Sequence, residues 1–290
     1  MTALDTAAAS DLFRRAPDRM IDVGAGQVAV RSVGSGPDVL FVHGWPVTGA
    51  TYRTLLPYLA PHVRCHVVDL VGTGSSSYDA TTPVSVHGHI EAVRRVVDEL
   101  GLTDVTVVGH DSGGLIARHA LAGDPRVRAF VLIDTEQPAG LTFRFKMFLW
   151  GRHLPGYGRV LGWLVGQRRL RRLPLVLGGA FDDRDLLDGE FDEFFLQPLH
   201  TDPVALGAAI RLLDSFDTAD VTALADVHRR IDVPVHLIWG EHDPFFPVDR
   251  AREMVDTFPD ARLTVIDGAS LFAHEERPTD VAAALLQTVQ

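Results

Sequence analysis

Short apolar runs alternate with helix-like segments through most of the chain. These runs are continuously apolar and do not alternate with polar residues. Continuous apolar runs are typical of strands that are buried on both faces of a parallel sheet. They lie at residues 38–42, 63–70, 105–108 and 129–134. Residues 86–100 have helical spacing and residues 115–122 are helix-like. Strands and helices that alternate at this spacing predict an α/β fold with a doubly wound, mostly parallel sheet.

The alternation is interrupted once. From residue 137 to about 222 no strand-like run occurs, and helix-like patches such as 204–213 take its place. It then resumes with a strand at 233–240, a helix near 250–258, a strand at 262–266 and a closing helix from Pro278 to Gln290. This pattern predicts a core domain with a helical cap inserted after the sixth strand. The predicted segments are core 1–136, helical cap (lid) 137–225 and core 226–290.

The sequence Gly109-His110-Asp111-Ser112-Gly113-Gly114 joins the strand at 105–108 to the helix-like segment that follows. Small residues around Asp111 permit a sharp turn that holds one side chain at the carboxyl edge of the sheet, clear of its neighbours. We expect Asp111 at the apex. Ser112 fits less well, because His110 then stands where a glycine is needed. The plain alternative is a glycine-rich turn capped by an aspartate.

Composition narrows the function classes. Of 290 residues, 46% are hydrophobic and 22% charged, as in soluble globular enzymes, and the net charge of −11 argues against a nucleic-acid partner. The single cysteine, Cys65, excludes an intramolecular disulfide and a cysteine-rich metal site, and we predict no metal and no cofactor. Residues 1–17 lack the apolar core of a signal peptide, and no run of about 18 apolar residues occurs. The expected location is the cytoplasm.

Five motifs follow one another in chain order, each beside a strand end. They are His43-Gly44-Trp45-Pro46, Asp69-x-x-Gly72-x-Gly74-x-Ser76, the elbow at 109–114, Trp239-Gly240-x-x-Asp243-x-x-x-Pro247 and His274-Glu275-Glu276-Arg277-Pro278. Together they resemble the α/β-hydrolase fold over nearly the whole chain. With an aspartate at the elbow, the chain is similar to the aspartate-nucleophile branch, which holds the epoxide hydrolases and the haloalkane or haloacid dehalogenases.

The resemblance implies a two-step covalent mechanism. Asp111 would attack a carbon that bears a halide or an epoxide oxygen, and water activated by a histidine would then hydrolyse the alkyl ester. The backbone N–H groups of Trp45 and Ser112 would form the oxyanion hole. The acid that orients the histidine is expected to be Asp243, after the seventh strand, with Asp134, after the sixth strand, as the alternative.

The histidine is where the chain departs from the family pattern. The family has Gly-x-Gly-His-Phe after the last strand, whereas Gly268-Ala269-Ser270-Leu271-Phe272 puts Leu271 at the histidine position. One interpretation is that the loop is shifted and His274 supplies the base. The other is that no base exists, so that the protein stalls at the ester or does not hydrolyse at all.

In this family the cap closes over the elbow and selects the substrate. The resemblance therefore makes Trp150, Tyr157 and Trp163 candidate substrate-binding residues, a tyrosine to protonate an epoxide oxygen or a tryptophan to hold a halide. His43 and His110, within the motifs at strand ends, complete the expected pocket. Packing between cap helices is the plain alternative for the two tryptophans.

Charge is uneven within the cap. Eight basic residues and no acidic one lie between 137 and 181, whereas residues 182–193 carry seven acidic residues against Arg184. We interpret these stretches as two cap segments that face each other or solvent. A bolder hypothesis makes residues 168–172, with Leu170 and Leu173, a membrane-surface or partner patch.

The predicted function is hydrolysis of an epoxide or a carbon–halogen bond through an alkyl ester on Asp111. The epoxide is slightly favoured because Ser112, next to the nucleophile, is a poor halide donor. The partner is expected to be a small apolar substrate; membrane contact is not expected, and a homodimer is left open. One alternative is an ester or lactone hydrolase in which Ser112 or water attacks. The other is a non-hydrolytic ligand-binding or lyase-like member, which Leu271 favours.

Overall fold

One eight-stranded sheet forms the centre of the computed structural model, which describes residues 4–289. Its strands are β1 (Arg19–Asp22), β2 (Gln27–Gly34), β3 (Asp38–Val42), β4 (Arg64–Asp69), β5 (Val105–His110), β6 (Val127–Ile133), β7 (Val235–Gly240) and β8 (Ala261–Ile266). They lie in the order β1-β2-β4-β3-β5-β6-β7-β8. The pairs β1–β2 and β2–β4 are antiparallel and all others are parallel, which confirms the predicted mostly parallel sheet.

Helices cover both faces of the sheet and fill the segment after β6. The α-helices are α1 (Thr6–Arg14), α2 (Leu56–Leu59), α3 (Val86–Leu100), α4 (Ser112–Leu121), α5 (Phe143–Gly151), α6 (Tyr157–Gly166), α7 (Arg168–Arg171), α8 (Gln197–Thr201), α9 (Pro203–Asp214), α10 (Thr218–Thr222), α11 (Leu224–His228), α12 (Val248–Val255), α13 (Ala273–Glu276) and α14 (Pro278–Val289). Short 3-10 turns occur at Gly49–Tyr52 and Arg184–Leu187, and π-helical turns at Pro174–Gly178 and Asp192–Leu196. The predicted end of the closing helix, Gln290, lies outside the described residues.

Helix α3 illustrates how local sequence sets these elements. The hydroxyl of Ser85 accepts a hydrogen bond from the Gly88 N–H at 3.0 Å and caps the first turn. The helix ends at Gly101, whose φ of +65° is a conformation that glycine adopts without strain. Ile90, Val93 and Val97 lie on its buried face. The predicted bounds of 86–100 are confirmed.

Residues 137–225 are helical, and no strand lies among them in the described chain. The helical insertion after the sixth strand is therefore confirmed. The predicted boundary at 225 falls inside α11, which packs against the core helix α4. There the guanidinium of Arg118 donates to Nε2 of His228 at 2.9 Å, so α11 belongs to the core by its contacts. None of the helices within residues 4–289 is long and apolar enough to cross a membrane.

Four adjacent strands bring the motif residues to one edge of the sheet. Strands β3, β5, β6 and β7 are parallel neighbours, so their carboxyl ends meet at the same edge. Trp45, Asp111, Asp134 and Asp243 follow these four strands in turn. The fold therefore brings the carboxylates of Asp111, Asp134 and Asp243 and the loop that contains Trp45 to the edge of the sheet that the cap covers.

Candidate functional site

Asp111 occupies the apex of the turn between β5 and α4. Its φ of +50° is uncommon for a residue with a side chain, and such strain is concentrated at functional sites. A Cβ at Gly113 would lie 2.3 Å from the carbonyl oxygen of Val42, and one at Gly109 would lie 2.6 Å from Cα of Gly114. Both flanking glycines are thus required by close backbone approach. This geometry puts Asp111, rather than Ser112, at the apex.

Two backbone N–H groups converge on one carboxylate oxygen of Asp111. Oδ1 accepts hydrogen bonds from the N–H of Trp45 at 3.1 Å and from the N–H of Ser112 at the start of α4. The Trp45 N–H also lies 3.1 Å from Oγ of Ser112. No donor among the described residues bonds Oδ2. The resemblance makes these two N–H groups the expected oxyanion hole, and the structure brings both onto the same oxygen.

A small cavity of about 40 Å³ adjoins this carboxylate. Its polar lining comes from Asp111, Ser112 and Glu136, and the rest is mainly apolar, including Phe145 and Phe148 from α5. A larger cavity of about 280 Å³ shares Trp45 and Leu212 with it and extends between the cap and the loop after β4. The lining of the site is therefore largely apolar, which suits small apolar molecules.

Glu136 is the functional candidate that the sequence reasoning missed. Its side chain is fully buried, and Oε2 accepts a hydrogen bond from the Thr135 hydroxyl at 3.0 Å. Oε1 has no hydrogen-bond partner among the described residues. Its signal in the sequence is Asp134-Thr135-Glu136, which puts a second carboxylate two residues beyond Asp134 at the end of the sixth strand. The missed residue is the second carboxylate in the cavity of Asp111.

The two carboxyl groups of the cavity, Asp111 and Glu136, have different pKa values. Burial raises the pKa of Asp111 to about 6, while the N–H groups of Ser112 and Trp45 oppose the shift. Burial also raises the pKa of Glu136 to about 8, and the negative charge of Asp111 adds to it. At neutral pH the arrangement therefore favours an ionised Asp111 beside a protonated Glu136. Such a pair can divide nucleophilic and acidic roles.

Asp243 and Asp134, the two residues predicted to orient the histidine, lie close enough for their charges to interact. Oδ1 of Asp243 accepts hydrogen bonds from the N–H groups of Phe245 and Phe246 at 2.7 and 3.0 Å. Oδ1 of Asp134 accepts one from Gly240 at 2.8 Å. Oδ2 of each is buried without a partner in the described chain. Burial raises the pKa of Asp134 well above its ordinary value, and the charge of Asp243 adds to the rise.

His274 does not meet these carboxylates. Its ring is fully buried, and Nε2 is hydrogen-bonded to Oγ1 of Thr51 at 2.7 Å. The ring contacts His110 at 4.4 Å between centroids, and Nδ1 has no partner in residues 4–289. Burial lowers the pKa of His274 well below its ordinary value. This arrangement does not support the prediction that His274 acts as the base on Asp111.

Leu271 stands where the family histidine is expected. Its carbonyl oxygen accepts a hydrogen bond from Nε2 of His110 at 2.9 Å, and His110 immediately precedes Asp111. This bond holds residue 271 beside the nucleophile turn. The leucine side chain is buried in the core. The loop after β8 therefore lies next to the nucleophile turn, but it carries a leucine where the family has a histidine.

The two histidines predicted to bind substrate have structural partners instead. His43 is buried, with Nδ1 donating to the carbonyl of Gly44 at 2.9 Å and Nε2 accepting from the Leu70 N–H at 3.1 Å. His110 anchors the loop at Leu271. Neither lines the two cavities near Asp111. Both side chains stabilise loops that carry site residues, and the binding role is not supported.

The three predicted aromatic residues of the cap also lie away from Asp111. Trp150 and Trp163 are exposed on the outer side of the cap. Tyr157 is half-buried against Phe148 and lines a separate groove of the cap. None of the three lines the cavities described above. Packing between cap helices does not describe the two tryptophans either, because most of each ring faces solvent.

Replacing Asp243 by Asn is expected to stabilise the protein above neutral pH. Burial raises the pKa of Asp243 to about 8, with Asp111 adding to the rise, so the folded state holds a proton that the unfolded chain releases near pH 4. Stability from this group is thus lost as the pH rises from about 4 to about 8. Asn keeps the Oδ1 acceptor and cannot ionise. The pKa difference corresponds to roughly 5 kcal/mol at pH 8. Burial of the Asn amide N–H groups without an acceptor offsets part of it, so the free energy of unfolding should rise by about 3 kcal/mol.

Urea unfolding at pH 4 and pH 8 measures this effect. The exposed Asp104→Asn is the matched control and should change neither value appreciably. An Asp243→Asn variant that is less stable than the wild type at pH 8 would contradict the inference that the ionised Asp243 carboxylate destabilises the folded state.

Comparison with known proteins places the chain in a family. A family model for the alpha/beta hydrolase fold matches residues 37–278. A pimeloyl-[acyl-carrier protein] methyl ester esterase of Chromobacterium violaceum is 30% identical over 263 residues, which cover 89% of this chain and 98% of the esterase.

Solved structures agree in fold. Epoxide hydrolase CorEH has a TM-score of 0.76 at 20% identity, covering 93% of this chain and 97% of its own. Haloalkane dehalogenase DbeA from Bradyrhizobium elkani has a TM-score of 0.75 at 20% identity, covering 93% and 96%. The chain belongs to the α/β-hydrolase-fold family, and it is an enzyme of the hydrolase type.

Proposed function

We propose that the protein hydrolyses a small apolar epoxide through a covalent alkyl ester on Asp111. The observation that carries the proposal is the placement of one carboxylate oxygen, Oδ1, against the N–H groups of Trp45 and Ser112. The same N–H groups stabilise the oxygen when it gains charge during hydrolysis of the ester. Oδ2 remains the attacking atom. An aspartate suits attack on an alkyl carbon because its ester can be hydrolysed again.

Ring opening requires a proton for the epoxide oxygen. Oδ2 of Asp111 forms a bond to an epoxide carbon, the carbon–oxygen bond breaks, and the departing oxygen takes the proton of Glu136. Oε1 of Glu136 is buried, has no partner among the described residues and belongs to a side chain that lines the same cavity. Proton transfer from a positioned acid of raised pKa is the ordinary form of general acid catalysis.

Hydrolysis of the ester reverses the role of Glu136. The carboxylate left by the first step removes a proton from water, and the water oxygen attacks the ester carbonyl carbon of Asp111. The oxyanion forms on Oδ1 and is held by Trp45 and Ser112. When the oxyanion collapses, the bond from the ester carbon to the diol oxygen breaks, and that oxygen takes the proton of the added hydroxyl. The diol leaves, Asp111 is again a carboxylate, and Glu136 is again protonated. Glu136 thus takes the base role that neither Leu271 nor His274 is positioned to take.

The tryptophan side chains favour an epoxide over a halide. A halide leaving group is commonly stabilised by indole N–H groups, but Nε1 of Trp45 donates to the carbonyl of Ala209 at 2.9 Å and Nε1 of Trp239 donates to that of Phe246 at 2.6 Å. Trp150 and Trp163 do not line the cavity. An epoxide oxygen instead needs one proton, which Glu136 supplies.

A second candidate function is hydrolysis of a carboxylic ester. The esterase relative at 30% identity favours it, as does the position of Oγ of Ser112, 3.1 Å from the Trp45 N–H in the same cavity. Ser112 or water would attack the ester carbonyl carbon. A base would still have to come from Glu136, because no histidine lines this cavity in the described chain.

Intact-protein mass spectrometry separates the candidates. The protein is incubated with panels of small epoxides, haloalkanes and methyl esters, and any adduct is located by digestion. An alkyl adduct on Asp111 with diol release supports the epoxide proposal, and an adduct from haloalkanes alone moves the reaction to carbon–halogen cleavage. An acyl adduct on Ser112 supports the ester hydrolase. No adduct and no product across all panels would overturn both and favour a binding role.

Replacing Glu136 by Gln should slow both chemical steps by about 10²-fold. Adduct formation by the wild type should be bell-shaped in pH, rising through the pKa of Asp111 near about 6 and falling through that of Glu136 near about 8. Gln cannot donate the proton, so the fall at high pH should disappear. Stopped-flow single-turnover rates across pH 5 to about 9 measure the profile.

Glu136→Asp is the matched variant, since it keeps a carboxyl group and should recover the high-pH fall with a lower rate. An unchanged pH profile in Glu136→Gln would remove the acid role while leaving the Asp111 nucleophile untouched.

A further inference from the structure

The outer side of the cap carries most of the exposed apolar surface of the protein. Ten large apolar side chains are exposed among the described residues, and eight of them lie between residues 143 and 175. Scattered exposed apolar residues are normal, whereas a concentration of them in one segment marks an interaction surface. We use "cap face" for Phe143, Met147, Trp150, Val160, Trp163 and Leu175.

Helical spacing puts these side chains on the outward sides of α5 and α6. In α5, Phe143, Met147 and Trp150 recur at intervals of three to four residues, with exposures of 79%, 50% and 60%. In α6, Val160 and Trp163 do the same at 54% and 57%. On the opposite sides, Leu149 of α5 and Leu161 and Val165 of α6 are buried. The cap helices are therefore apolar on both sides. A side that only faced water would be expected to carry polar residues.

A groove of about 170 Å³ joins these helices to the turn at 174–178. Met147, Tyr157, Val160, Leu164 and Leu175 are among its lining residues. The groove also contacts Trp45 and Phe148, which line the cavity of Asp111. Trp45 and Phe148 are thus the side chains that lie between the cap-face groove and the cavity of Asp111.

Basic residues predominate in the segment that carries the cap face, which favours an anionic binding partner. Residues 137–181 carry eight basic residues and no acidic one, although the chain has a net charge of −11. Arg168, Arg171 and Arg172 pair with Asp185, Asp188 and Asp192, so the predicted patch at 168–172 is largely neutralised.

Other basic side chains beside the cap face stay exposed and form no ion pair within residues 4–289. They are Lys146, Arg159 and Arg169. Lys146 follows Phe143 by three residues on α5, and Arg159 precedes Val160 on α6. Two copies of this face would repel each other through the same charges.

We propose that the cap face docks on the surface of a lipid bilayer that contains anionic lipids. Helices with aromatic and aliphatic side chains on one side and Lys or Arg beside them lie in the bilayer interface, where apolar side chains enter the acyl boundary and cations meet headgroups. Tryptophan is enriched at this depth. Docking would also place this groove against the acyl boundary, where an apolar substrate dissolves. That consequence rests on the proposed function; docking itself does not.

Vesicle co-sedimentation with the full chain tests the proposal. The probes are vesicles of phosphatidylcholine alone and of phosphatidylcholine with phosphatidylglycerol in equal parts. Binding should be stronger to the anionic vesicles and should weaken at high salt. The triple variant Phe143→Ser, Trp150→Ser, Leu175→Ser should bind at least about tenfold less tightly. Lys146→Glu with Arg159→Glu should abolish the preference for anionic vesicles.

Two controls separate the cap face from the rest of the surface. Tyr58→Ser removes an exposed apolar side chain of the core, and Arg229→Glu reverses an exposed charge there; neither should change binding. Unchanged thermal unfolding midpoints exclude misfolding of the variants. Vesicle binding that the cap-face variants leave intact would overturn the proposal. So would an absence of vesicle binding together with self-association in sedimentation velocity, which would assign the face to a second copy of the chain.

Discussion

Asp111→Asn is expected to reduce turnover by about 10⁴-fold or more and to abolish any covalent adduct. The amide is a poor nucleophile, so the first step fails while the substrate still binds. Asn retains an oxygen for the N–H groups of Trp45 and Ser112, and it tolerates a φ of +50° better than most residues. Activity and intact mass, measured together on the same substrate, report the result.

The same variant should be more stable than the wild type at neutral pH. Because burial raises the pKa of Asp111 to about 6, its ionised form destabilises the folded state, and this cost appears as the pH rises from about 4 to about 6. Asn removes it, for a gain of about 2 kcal/mol at pH 7. A loss of activity therefore would not come from unfolding, which urea titration verifies.

Ser112→Ala is the matched control at the neighbouring position. It keeps the backbone N–H that the Asp111 mechanism uses and removes only the hydroxyl. If Asp111 attacks, this variant should retain turnover within about tenfold of the wild type. Full activity in Asp111→Asn combined with a dead Ser112→Ala would overturn the alkyl-ester proposal and assign the reaction to ester hydrolysis by Ser112.

Leu271→His is expected to accelerate hydrolysis of the Asp111 ester by about 10²-fold or more. The bond from His110 to the Leu271 carbonyl holds residue 271 beside the nucleophile turn. Oδ2 of Asp243 is buried without a partner in residues 4–289, so we expect it to orient an imidazole introduced at position 271. The gain should appear in single-turnover decay of the adduct, and not in the rate at which the adduct forms.

Two further variants identify the origin of that gain. Leu271→Gln introduces a polar side chain without a useful base and should give no acceleration. Adding Asp243→Asn to Leu271→His should remove most of the gain, because the acid that orients the imidazole is lost. Equal acceleration by Gln and His would mean that a polar cavity, rather than a base, limits the reaction.

The combination of Glu136→Gln with Leu271→His separates the two proton-transfer roles. The histidine should restore ester hydrolysis, whereas ring opening should stay slow because the epoxide oxygen still lacks its acid. This outcome would assign the base and acid functions to two different positions near Asp111. Recovery of both steps would mean that Glu136 is dispensable as an acid.

The sequence by itself determined the elements and the elbow of this protein. The bounds of α3, the order of strands and helices, and the helical insertion after β6 follow from apolar periodicity, caps and glycines, which act over a few residues. The turn at Asp111 follows from the small residues around it, which act locally. The N–H groups of Trp45 and Ser112 were predicted only through the resemblance to the α/β-hydrolase fold.

Tertiary structure decided which side chains reach the site. His274 turns to Thr51, more than 200 residues away in the chain, and this contact has no trace in local sequence. Glu136 enters the cavity of Asp111 because the adjoining strands and cap enclose it. Trp150 and Trp163 face outward because the packed cap helices bury their opposite sides. The direction of a side chain is set by packing between distant segments, so it appears only when the chain is folded.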